Sequence, residues 1–159
     1  MNFFVEEHKN LLIKLIDAGV EFILIGGYAV NFHGYNRTTG DMDIWLRPDN
    51  SNKSKLFKVL VDIGFTIEEI DELDKADFSD YLVFSIWEKP YKTDFLTRIS
   101  GVKFDEAWEQ KVLLPLGDKN IPVLHLHHLV LSKISNGRSQ DKTDIEELQK
   151  IQALKKNKS

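Results

Sequence analysis

Asp41 and Asp43, separated by a single residue, are the side chains whose types and spacing most directly imply chemistry in this chain of 159 residues. On an extended strand, side chains alternate between faces, so the two aspartates share one face while Met42 and Ile44 turn to the other. Two carboxylates held this close repel each other when ionised. A hard cation relieves that repulsion, and Mg²⁺ typically takes one or two carboxylates together with phosphate oxygens and water. A solvated acidic edge is the alternative for an isolated Asp-x-Asp. The pair Gly26-Gly27 upstream argues against it. It ends the apolar run Glu21-Phe22-Ile23-Leu24-Ile25, and without Cβ atoms its N–H groups can lie close to an anion. If Tyr28 to Phe32 begin a helix, those N–H groups stand at its positive end, which favours phosphate. The implied chemistry is metal-assisted and acts on a nucleotide.

The elements that must hold these residues can be read from periodicity. Val5, Leu11, Leu12, Leu15 and Ile16 recur at helical spacing between about Phe3 and Ala18, and Gly19 supplies the stop. The glycine-pair strand, a short helix and the Asp41 strand follow, the last ending at Arg47-Pro48. Asn50 or Ser51 caps a further helix whose apolar face is Leu56, Phe57, Leu60 and Ile63. The acidic stretch Glu68 to Asp80 reads as a solvated loop or short helix, with a docking surface as the sharper alternative. Tyr81–Trp87 and Thr93–Ile99 read as a hairpin that places Asp94 at the start of its second strand. A short helix over Phe104–Lys111 precedes a last short strand, Ile121–His125. The C-terminal part, about 127–155, is helical twice over, broken at Gly137. The expected architecture is α/β (α+β): a mixed sheet of about five strands flanked by helices, within a single domain spanning residues 1–159.

Composition narrows the partners. Hydrophobic content of 42% and charged content of 29% describe an ordinary globular chain, and a formal net charge of −4 argues against extended duplex binding, which leaves a basic footprint. A nucleotide or an RNA end is compatible with that charge. No apolar run is long enough to span a membrane, and the first residues lack the layout of a secretory signal. The absence of cysteine removes thiolate metal sites, disulfides and cysteine nucleophiles, and fits a cytoplasmic location. No Gly-Lys-Ser/Thr follows the glycines, and the Gly-x-Gly-x-x-Gly spacing is missing, so neither a P-loop nor a dinucleotide-binding Rossmann unit is expected.

Taken together, Ile25-Gly26-Gly27, Asp41-Met42-Asp43-Ile44 and Asp94 resemble the nucleotidyltransferase superfamily with the polymerase-β-like fold. More narrowly, Gly26-Gly27-Tyr28-Ala29-Val30, His33-Gly34, Arg37, Thr39 and the later segments Asp94–Thr97, Ile99–Val102, Phe104–Ala107 and Lys133–Asp144 look like small, mostly uncharacterised bacterial nucleotidyltransferases. The resemblance runs from about Val20 to Leu148. It implies that Gly26 and Gly27 hold nucleotide phosphates, that Asp41, Asp43 and Asp94 form a catalytic, metal-binding triad for Mg²⁺ or Mn²⁺, and that an NTP such as ATP is the substrate. Transfer of a nucleoside monophosphate to an acceptor hydroxyl, with loss of pyrophosphate, is the reaction it implies. Asp94 would assist a second metal or take the acceptor's proton.

The stretch from Ile121 to Asp144 resembles a lysine-arginine-aspartate segment of this family and of abortive-infection nucleotidyltransferase toxins. The resemblance assigns Lys133, and with it Arg138 and Asp141, to the nucleotide site. Two of these have a plainer reading: Lys133 as a solvated helix residue, Asp141 as a helix cap. Asp144 reads as a first-turn dipole partner. Arg37 could bind phosphate or brace the loop against an aspartate. The pair His125/His127 could hold Zn²⁺ but lacks a companion ligand at zinc spacing, and Trp45, Trp87 and Trp108 read as packing. The acceptor stays open among an RNA end, a protein and a small molecule. The competing reading is a non-catalytic nucleotide-binding or regulatory module with a protein partner, such as half of a toxin–antitoxin pair.

Overall fold

The computed structural model describes residues 4–36, 40–137 and 139–157. Arg37, Thr38, Thr39 and Arg138 lie outside them.

Helix α1 (Glu6–Asp17) is followed by strand β1 (Phe22–Ile25), helix α2 (Gly26–Phe32), strand β2 (Met42–Leu46) and helix α3 (Asn50–Asp62). Asp49 caps α3 by accepting from Asn52 N at 2.7 Å, one residue earlier than the sequence indicates, because its carboxylate reaches the orphan amide that Asn50 would have left unpaired. The acidic stretch contains only the short helix α4 (Asp71–Lys75), anchored by Ile70 and Phe78, which are buried. The expected hairpin is β3 (Val83–Ile86) with β4 (Thr93–Leu96). Then come α5 (Phe104–Gln110), β5 (Val112–Leu116), β6 (Lys119–Val123), α6 (Leu126–Asn136) and α7 (Ser139–Asn157). Gly137, at φ 68°, ends α6 in the left-handed conformation that glycine tolerates best.

The sheet is mixed and has six strands rather than about five, in the order β3-β4-β2-β1-β6-β5. The addition is β5, which pairs antiparallel with β6 across the turn at Gly117. Pro115 made this run look unlike a strand. At the edge of the sheet its missing N–H costs nothing, since no further strand needs it.

β1 is buried along its whole length at the centre of the sheet. β2 pairs antiparallel with β1 and parallel with β4. The alternation of β2 sets the two faces. Met42, Ile44 and Leu46 are fully buried on one face, joined by Thr93 and Phe95 of β4, while Asp43 and Trp45 lie on the other. Burying side chains such as these contributes roughly 1.5–3 kcal/mol each. Among the described residues, no helix is long and apolar enough to cross a membrane.

Candidate functional site

The parallel register of β2 and β4 makes Asp43 and Asp94 direct partners. Paired residues on adjacent strands project to the same side, so Asp94 joins the face that alternation gives to Asp43, about 4.8 Å away along the backbone. Asp41 precedes β2, and Lys92, whose carbonyl accepts from Met42 N at 3.0 Å, precedes β4. The Lys92 ammonium reaches Asp41 Oδ2 at 3.9 Å and Asp94 Oδ1 at 3.6 Å. Three carboxylates and one lysine therefore occupy the corners of a patch on two neighbouring strands. Ser85 of β3, the register partner of Asp94, donates its hydroxyl to Asp94 Oδ1. Sequence reading missed Lys92 and Ser85, although a lysine two residues before the strand aspartate was the available signal.

Gly26 closes this patch from the other side. Ile25 partners Asp43 across β1 and β2, and the chain turns into α2 at once, with Gly26 at φ 67°. A Cβ on Gly26 would lie 2.9 Å from Asp43 Cγ. The glycine is thus required twice, by a backbone angle that L-residues disfavour and by the space that the Asp43 carboxylate takes. Helix α2 starts at Gly26 itself rather than at Tyr28. Gly27 is buried inside its first turn.

Helix α6 supplies the opposite wall. A cleft of about 480 Å³ is lined by Gly26 and Asp43 on the sheet side and by Leu129, Ser132, Lys133 and Asn136 on α6. The structure therefore brings Gly26, Asp43 and Lys133 into one cleft. Lys133 is not the solvated cation of the plainer reading: it is 6% exposed, and its ammonium lies 3.2 Å from Asp141 Oδ1 and 2.8 Å from Asp144 Oδ2. Both aspartates are fully buried. Asp144 is thus no surface dipole partner, and Asp141 is no exposed cap; together they fix the lysine between α6 and α7. Arg98 lines the same cleft and, among the described residues, no carboxylate pairs with it. Sequence reading did not single it out.

His8, His33 and His125 serve the fold. His8 lies fully buried with Nδ1 2.8 Å from the Tyr28 hydroxyl and Nε2 2.9 Å from the Tyr91 carbonyl. A carbonyl only accepts, so Nε2 carries the proton and Nδ1 accepts from the tyrosine. His33 donates through Nε2 to the Leu124 carbonyl at 2.7 Å. Burial holds both rings below the ordinary imidazole range. His125 caps α6, its Nδ1 accepting from His127 N at 3.0 Å.

Among the described residues, no three carboxylate or imidazole groups are gathered tightly enough to hold a metal ion on their own. Asp94 is drawn toward Ser85 and Lys92. Asp43 on β2 and Asp41 at its entry are the type and number of carboxylates that Mg²⁺ takes when phosphate oxygens and water complete its shell.

A family described as "Nucleotidyl transferase of unknown function (DUF2204)" matches residues 5–159. The chain belongs to this family. Among solved structures, this nucleotidyltransferase is similar to the lincosamide antibiotic adenylyltransferase LnuA in its lincomycin-bound form, with a TM-score of 0.57, 19% identity and coverage of 93% of this chain and 98% of the other. It is also similar to an antigenic nucleotidyltransferase-like protein from Paracoccidioides brasiliensis, with a TM-score of 0.50, 16% identity and coverage of 92% and 73%. At such identities the likeness is one of fold. None of the curated proteins matches the chain. Of the three carboxylates, Asp43 is the one that lines the cleft beside Gly26.

Proposed function

We propose that this chain transfers a nucleoside monophosphate from an NTP to an acceptor hydroxyl, in the cleft between the carboxylate patch and α6. The register pairing of Asp43 with Asp94, beside a glycine that leaves room for the Asp43 carboxylate, is the observation that carries this reading. Asp41 and Asp43 would hold Mg²⁺ together with the triphosphate. When bound, the cation neutralises phosphate charge and stabilises the leaving oxygens.

The remaining roles belong to the protein's own groups. The backbone at Gly26 and Gly27 gives the triphosphate a close approach to the sheet. Arg98 supplies a positive charge to the lining of the cleft. Lys133, locked by Asp141 and Asp144, supplies a fixed one in its wall. Arg37 and Arg138 remain candidates for the same charge. Asp94, with Ser85 orienting its carboxylate, would accept the proton of the attacking hydroxyl. LnuA is named for adenylyl transfer to an antibiotic, which makes ATP the first triphosphate to try and a small molecule the first acceptor.

Calorimetric titration with Mg²⁺ and each NTP, followed by single-turnover release of pyrophosphate, tests the reading. The double variant Asp41→Asn with Asp43→Asn should lose metal-dependent nucleotide binding, and either single variant should slow turnover by about a hundredfold or more, or roughly 3 kcal/mol. Unchanged binding and turnover in the double variant would favour the non-catalytic module.

A further inference from the structure

The face of the sheet that carries Asp43 does not end with the nucleotide cleft. Along the same strand face, Trp45 and then Arg47 follow, each pair of residues advancing about 6.5–7 Å. They line a second and larger cavity of about 980 Å³. Arg98 and Ile99 line both cavities, so the two spaces share a wall.

This second cavity is built from side chains that are already committed to one position. Trp45 is 1% exposed, donates from Nε1 to the Thr97 carbonyl at 3.2 Å, and meets the Phe104 ring edge-on at 5.1 Å. The Arg47 guanidinium lies over Phe104 and Trp108, 4.7 and 5.4 Å from the ring centres. It is ion-paired with Glu21 and, at 2.6 Å, with Asp105. The loop between them is tied to α6, where Ser100 Oγ donates to Asn136 Oδ1 at 2.9 Å. Gly101 packs so closely there that a Cβ would lie 3.3 Å from Ser135 Cβ. A preformed concavity that sets apolar surface beside fixed polar groups is a usual form of a small-molecule site.

We propose that this second cavity holds the acceptor, and that the acceptor is a small hydroxyl-bearing molecule with an apolar, ring-shaped body rather than a nucleic-acid strand or a protein. The proposal rests on the nucleotidyltransferase reading of the adjoining cleft. Three points decide the class. The volume is at the upper end of the roughly 300–1,000 Å³ typical of small-molecule sites. The aromatic and aliphatic wall formed by Trp45, Phe104, Ile99 and Val102 suits a ring. The charged lining is balanced, with Arg47, Arg98 and Lys103 set against Asp49, Asp105 and Glu106, and Arg47 is already paired. A polynucleotide would need an uncompensated basic groove with stacking platforms. An acceptor seated here presents its oxygen past Arg98 to the α-phosphorus. The new O–P bond forms as the bond from that phosphorus to the bridging oxygen breaks, pyrophosphate leaves with the electron pair, and the hydroxyl proton passes to a carboxylate of the sheet face.

The test uses the full chain with Mg²⁺ and α-labelled ATP, GTP, CTP and UTP. Acceptors are offered in three classes: phenyl glycosides, cyclohexanols and free nucleosides; bulk transfer RNA; and casein. Glu106→Trp and Lys103→Trp, both at exposed positions on the cavity's rim, narrow it without touching the nucleotide cleft. We expect label on at least one small molecule, a KM for it raised at least tenfold in both variants, and an Mg²⁺-NTP Kd within twofold of the parent. Label on RNA or casein instead, or small-molecule transfer whose KM neither variant changes, overturns the proposal. So does intact nucleotide binding with neither labelling nor a saturation-transfer signal from any of the small molecules. If the parent binds no nucleotide, the reading of the first cleft has failed, and this one falls with it for that separate reason.

Discussion

Gly26 and Asp43 occupy one space: a Cβ on the glycine would lie 2.9 Å from the Cγ of the aspartate. Gly26→Ala should therefore cost roughly 1–2 kcal/mol for its left-handed backbone, plus a further penalty for displacing the carboxylate. That further penalty should shrink when Asp43 is truncated, leaving only the contact with its Cβ at 3.0 Å. In a double-mutant cycle, Gly26→Ala and Asp43→Ala should be non-additive in urea unfolding, the double variant being more stable than the sum predicts by about 1 kcal/mol. Strict additivity would mean that the two residues do not compete for this space.

Lys92 should weaken cation binding at the patch it helps to build. Its ammonium stands 3.6 Å from Asp94 and 3.9 Å from Asp41, and a divalent ion would compete for the same negative field. Coulomb attraction at that range is about 4 kcal/mol for an effective dielectric near 20, and partial exposure reduces it to on the order of 1 kcal/mol. Lys92→Gln should tighten Mn²⁺ binding about fivefold in calorimetry without nucleotide. Unchanged or weaker binding would show that the lysine only organises the carboxylates.

Lys133 should matter to folding before it matters to turnover. Its ammonium lies between the fully buried Asp141 and Asp144, so Lys133→Met removes a cation from between two buried carboxylates, and we expect a loss of about 3 kcal/mol. Asp144→Asn leaves Asp141 in place and should cost less. Urea unfolding of both variants checks the order; a stable Lys133→Met protein with impaired nucleotide binding would mean that the lysine serves the substrate alone.

Acid should destabilise the fold through its buried imidazoles. Burial holds His8 and His33, and likewise His125 and His128, below the ordinary value of 6.5. Below pH 6.5 the unfolded chain takes up protons that the native rings refuse until their lower values are crossed. Stability is thus fully present above that pH and lost as pH falls through the window beneath it, by up to about 1.4 kcal/mol per unit for each of the buried His8 and His33 and by less for the more exposed His125 and His128. Urea midpoints taken across this range should fall, and His8→Gln should reduce the slope by about one proton's worth. A slope that His8→Gln leaves unchanged would contradict this account.

The sequence by itself determined the alternation of β2 and the need for a glycine at the end of β1. Strand geometry puts every second residue on one face, so Asp43 and Trp45 had to share a side opposite Met42 and Ile44, with Asp41 at the entry to the strand. The sequence also carried enough of a family pattern to place Asp94 beside these aspartates. Local physics of this kind depends on residues close in sequence. Tertiary structure decided the rest, because the deciding contacts join residues distant in sequence. Pairing of β2 with β4 brought Lys92 and Ser85 to the carboxylates. The packing of α7 on α6 turned Lys133 from an exposed helix residue into a buried ion pair. Trp45, legible only as packing, became the wall of a second cavity once α5 and the loop at Gly101 closed over it. No periodicity encodes such a contact, since it depends on which faces meet when the sheet and helices bury their apolar sides together.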